Sequence, residues 1–90
     1  MLITPQIFDE AVSRTRLKPR AISIARMVIL EGTTAAEAGR QHDVSREYAR
    51  QKVARVMREM RNVGGIPSDW EFVSGFVSPD AADRVRAMLR

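Results

Sequence analysis

Residues 33–61 read TTAAEAGRQHDVSREYARQKVARVMREMR, and the fold turns on how they are parsed. Thr34 and Glu37 stand at the T-x-x-E spacing of a capping box, which starts a helix there. Asp43 breaks the helical pattern. Ser45 then stands as the N-cap of a new helix, with Glu47 in the first turn, where a carboxylate favours the helix dipole. From Ser45 to Arg61 neither proline nor glycine intervenes. Apolar residues at 49, 53, 56, 57 and 60 keep one face inward, while arginines at 46, 50, 55, 58 and 61 occupy the others. A short helix, a tight turn and a longer helix make a helix-turn-helix, whose second helix enters a DNA major groove by its N-terminal end.

Two helices crossing at a tight turn need small residues where their backbones approach. Ala38, Gly39 and Ala49 supply them, with Val44 as the apolar residue of the turn and Val53 continuing the buried face. With that face fixed, Arg46, Glu47, Arg50 and Gln51 point outward near the leading end. Their chemistry suits base edges: arginine bridges guanine O6 and N7, glutamine bridges adenine N6 and N7, and glutamate accepts from cytosine N4. Thr34, Ser45, Tyr48, Lys52 and Arg55 are the expected phosphate contacts, which position the protein without specifying sequence. For Arg55, as for Arg58, a solvated helix face is an equally good account.

Upstream, Thr4 and Pro5 open a first helix, with Ile3 and Phe8 at the spacing of a hydrophobic staple and Ile7, Phe8, Ala11 and Val12 as its buried stripe. Residues 13–16 read as a polar loop. Lys18 and Pro19 start a second helix and Gly32 ends it. Between them Ala21, Ile24, Ala25, Val28 and Ile29 form an apolar face wide enough for the central strut of the domain.

Downstream, residues 62–69 are the one clear cluster of helix breakers. Residues 70–77 then carry Trp70, Phe72 and Phe76 on one face at period two, the pattern of a single strand. A lone strand has no ladder partner, so pairing with its copy in a second subunit is expected; packing back on the same chain is the alternative. Pro79 opens a last helix. The division expected is a DNA-binding helix-turn-helix domain at 1–62, a linker at 63–69 and a strand-helix dimerisation module at 70–90. Its interface would comprise Trp70, Phe72, Val73, Phe76, Val77, Val85 and Leu89. The fold class is mainly α, a helical bundle followed by a C-terminal strand plus helix.

Composition narrows the function further. Ninety residues with 44% hydrophobic content suit one small domain, and a core that small favours dimerisation. The net charge is +4, with far more arginine than lysine, which fits bidentate contacts to phosphate or guanine. No apolar run approaches the roughly 18 residues of a membrane span, and the first ten residues lack a secretory signal, so no membrane partner and a cytoplasmic location are expected. With no cysteine and one histidine, His42, no common zinc site can form, and no cofactor is expected. Asp9 and Glu10 are neighbours on a helix and diverge, which makes a poor catalytic pair; the chain reads as no enzyme.

The sequence resembles the KorA/TrfB repressors of broad-host-range plasmids over nearly its whole length. Ile3-Thr4 through Phe8 and Ala11 is similar to that family's opening motif, and Ile24-Ala25-Arg26-Met27-Val28 followed by Gly32 to its second helix. Val44-Ser45-Arg46 with Gln51 and Val53 resembles its recognition helix. The Ile66-Pro67 linker, the stretch to Val77 and the Pro79 helix follow in the family's order. The resemblance implies a homodimeric repressor of plasmid maintenance or transfer genes on palindromic operators, with Arg46 and Gln51 as leading base readers and Ser45 on a phosphate. Glu47, Tyr48 and Arg50 depart from the small and hydroxyl residues of the best-known member, so its operator does not transfer.

A second, local resemblance runs from Glu37 through Gly39, Gln41 and Asp43-Val44-Ser45-Arg46-Glu47 to Arg50-Gln51. It is similar to the promoter-reading helix-turn-helix of primary sigma factors. The rival reading is an interaction module that docks on RNA polymerase or another plasmid regulator. Structured RNA is a weaker third, because the tail offers few aromatic stacking platforms.

Overall fold

The computed structural model describes residues 4–66, 71–72 and 76–88. The chain is mainly helical. Its helices are α1 (Thr4–Ser13), α2 (Pro19–Ile29), α3 (Ala35–Gln41), α4 (Arg46–Gly64) and α5 (Pro79–Met88). Each boundary has a local cause. Pro19 occupies the first turn of α2, where its missing N–H costs nothing. Past the end of α2, Gly32 takes φ +74, and the Thr33 N–H donates to the Met27 carbonyl at 2.9 Å. The Glu37 N–H donates to Thr34 Oγ1 at 3.1 Å, and the Tyr48 N–H donates to Ser45 Oγ at 3.0 Å, capping α3 and α4. In α1, Thr4 is itself the first helical residue described, and the staple expected between Ile3 and Phe8 lies outside the described residues.

Four helices close on one core. Phe8, Ile24, Val56 and Met60 are its largest fully buried side chains. Ala11, Ala25, Ala38 and Ala49 are buried in the same core, and Ile7, Val12, Met27, Val28 and Met57 pack around the margin. The central strut is α4, which packs against α1, α2 and α3 together. The width of the α2 face suggested that role for α2. Length decides it instead, because Ala49, Val53, Val56 and Met60 span about three turns of one helix that meets all three neighbours.

Two expectations about the C-terminal third need correction. The fourth helix does not stop at Arg61 but continues to Gly64, and Gly65 ends it in the left-handed conformation at φ 60, with its N–H on the Asn62 carbonyl. The single strand expected over 70–77 is replaced by two two-residue segments, Glu71–Phe72 and Phe76–Val77. They pair antiparallel with each other, Glu71 opposite Val77 and Phe72 opposite Phe76. Their ladder partner is in the same chain, which removes the reason for an intersubunit ribbon. Trp70, Val73 and Leu89 lie outside the described residues. No described helix is long and apolar enough to cross a membrane.

Candidate nucleic-acid interface

The turn between α3 and α4 is held by backbone. His42 caps the C-terminal end of α3, Asp43 takes φ 55, and the Val44 N–H donates to the Gly39 carbonyl at 2.8 Å. The left-handed residue reverses the chain in one step, a conformation aspartate tolerates better than most side chains. Gly39 is buried where the turn folds back over α3. A Cβ there would stand 2.9 Å from the Val44 carbonyl oxygen and 3.1 Å from that of Ser45, both backbone atoms. The close approach therefore requires glycine, and it sets the angle at which α4 leaves the turn.

With Ala49 and Val53 buried, the leading end of α4 presents Arg46, Glu47, Arg50 and Gln51 to solvent, all four exposed. They are gathered on adjacent turns, as the spacing required. Arg50 and Glu47 approach to 4.0 Å, an exposed pair worth little in stability but enough to bias both side chains toward one another in the free protein. Ser45 and Thr34 each spend an oxygen lone pair on a cap, which leaves the hydroxyl proton of each free to donate to an anion. The Lys52 ammonium lies 4.9 Å from the centre of the Tyr48 ring, a cation–π contact that restrains both side chains.

Glu37 satisfies half of the expected capping box. Its N–H is capped by Thr34, but its carboxylate turns to Gln41 and Arg40. The hydrogen bond from Gln41, then that from Arg40 and the Arg40 charge, hold this carboxyl below its ordinary range, so it stays ionised as pH falls.

Two residues passed over in the sequence belong beside this surface. Arg16 and Lys18, from the connection between α1 and α2, share a groove with Tyr48, Lys52 and Arg55. The available signal was the alternation of basic residues at 14, 16 and 18, just ahead of α2, continued by Arg20 in its first turn. Of the residues expected at the dimer interface, Val85 is half-buried on α5, and Phe72, Phe76 and Val77 are described only as backbone in the small ladder.

Residues 3–87 match one protein family, described as TrfB plasmid transcriptional repressor. No curated protein and no solved structure matches the chain.

Proposed function

Because this chain belongs to the TrfB family of plasmid transcriptional repressors, we propose that it represses by reading a palindromic operator as a homodimer, through Arg46, Glu47, Arg50 and Gln51. The observation that carries this reading is the division of α4. One face supplies Ala49, Val53, Val56 and Met60 to the core, and the leading end offers four base-reading side chains to solvent. Thr34, Ser45, Tyr48, Lys52 and Arg55 are the phosphate contacts in this reading, and the regulated genes are those of plasmid maintenance or transfer. A helix-turn-helix that docks on RNA polymerase instead would leave its basic face without a phosphate partner.

Salt separates the two. Binding of random-sequence duplex should weaken by roughly 10³–10⁵ between about 50 and 200 mM salt if six to ten phosphates are contacted across the dimer. Affinity that barely changes over that range would favour the docking module.

The second subunit is expected at the C-terminal segment, the module 70–90 beyond the linker 63–69, leaving 1–62 to the DNA. Among the described residues α5 packs little against the four-helix bundle, and Met88 on it is 82% exposed. An exposed methionine on a helix apart from that bundle fits an interface better than a free surface. The double substitution Phe72→Ser/Phe76→Ser should give monomer by sedimentation, with the far-ultraviolet helical signal retained. A dimer that survives it would place the interface elsewhere.

A further inference from the structure

The α1–α2 connection and one flank of α4 enclose an open groove of about 360 Å³. Arg16 and Lys18 line it from the connection, and Lys52, Arg55 and the Tyr48 ring line it from α4. Among the described residues none of the four cations has a carboxylate partner, whereas Arg14, Arg26, Arg40 and Arg50 each have one. Four like charges lining one concavity repel one another, weakly because solvent screens them, and an anion between them would turn that repulsion into attraction. Lys18 is also the N-cap of α2 and makes no side-chain capping bond, so its side chain does not cap the Arg20 and Ala21 N–H groups of the first turn.

The groove also has a fixed relation to the base-reading strip. At about 3.6 residues per turn, Tyr48, Lys52 and Arg55 form the strip of α4 next to the one carrying Glu47 and Gln51. A helix roughly 10–12 Å across that lies in a major groove about 12 Å wide has a sugar-phosphate wall along each flank. The cationic groove opens where one such wall would run.

We propose that this groove binds a phosphodiester of the duplex backbone, with Arg16 and Lys18 extending the DNA footprint beyond the helix-turn-helix. The inference rests on the DNA-reading function above and adds residues from a separate part of the chain. These contacts are blind to sequence: they raise affinity for any duplex, and they fix how far α4 can rotate in the major groove.

The test compares the full-length protein with Arg16→Gln/Lys18→Gln and with a control of equal charge loss, Arg14→Gln/Arg20→Gln, two arginines next to the groove that do not line it. Each is titrated with one random-sequence duplex between about 50 and 200 mM salt. Losing two phosphate contacts should lower the slope of log affinity against log salt by about 1.8 per bound protomer, so the affinity ratio of native to variant shrinks about tenfold across that range for each protomer bound, and about a hundredfold for a dimer. The control should keep the native slope, and both variants should keep the native melting temperature. A native slope in Arg16→Gln/Lys18→Gln, or an equal loss in the control, would overturn the groove while leaving DNA reading intact. Binding of inorganic pyrophosphate by the native protein with no slope change in the variant would reassign the groove to a free anion and overturn the proposal. If the native protein itself shows no salt dependence, the DNA-reading function fails and the groove fails with it.

Discussion

Phe8→Ala should cost about 3–5 kcal/mol of folding stability, the largest single-residue loss expected in the chain. Phe8 is fully buried, it belongs to the single core of the bundle, and the Arg26 guanidinium covers its ring at 5.1 Å from the centroid. Truncation removes the transfer energy of the ring and leaves a cavity that four helices joined by short connections cannot collapse around. The Arg26 contact is lost with it, and Asp9, 3.6 Å from Arg26, becomes its only described neighbour of opposite charge. Small domains have about 0.05–0.15 kcal/mol of stability per residue, so this loss is comparable to the whole stability of a chain this size. Urea unfolding at fixed protein concentration should show the midpoint collapse, with Phe8→Leu retaining much of the native value. A loss below about 1 kcal/mol would mean that α1 is not part of the core.

Arg46→Ala should lower affinity for the protein's own operator by about 1–3 kcal/mol per half-site and relax the preference at one base position in each. Arg46 is the first residue of α4, exposed, and stands at the leading end of the helix directly after the Ser45 cap. A bidentate arginine–guanine pair lost from both halves of a palindrome acts twice, so the dimer should lose roughly 2–6 kcal/mol in all. Lys52→Ala makes the informative contrast. Its ammonium is a point charge beside Tyr48, and its loss should weaken operator and random duplex by the same factor. Titrations of both variants at one salt concentration, against operator and random duplex, separate the two roles. Arg46→Ala that weakened both duplexes equally would demote Arg46 to a phosphate contact.

Much of the four-helix bundle was legible in the sequence because its signals are local. Thr34 and Ser45 cap helices through their own near neighbours, Pro19 fits only a first turn, and Gly32 supplies a left-handed residue. Apolar residues at helical spacing then fixed which side of α4 faces outward, and with it the candidate readers. What failed was decided at longer range or between competing local choices. Glu37 could turn its carboxylate back to the start of α3 or forward along it, and Arg40 and Gln41 together outweigh one backbone N–H. A glycine inside a helix costs only about 1 kcal/mol, so Gly64 did not end α4 while Gly65 stood ready as its cap. A run with period-two apolar residues looks the same whether it forms one strand or two that pair, and here Glu71–Phe72 pairs with Phe76–Val77. The meeting of Arg16 and Lys18 with Tyr48, Lys52 and Arg55 is tertiary, and no window along the chain contains it.

Selection of bound fragments from a random duplex library tests the central claim most directly, that the leading face of α4 reads DNA sequence as one half of a two-fold pair. The enriched sequences should share an inverted repeat whose half-site centres lie about 34–36 Å apart, or a multiple of that, one helical turn being about 10–10.5 base pairs. Fragments recovered with no shared sequence, at affinities equal to random duplex, would contradict the account.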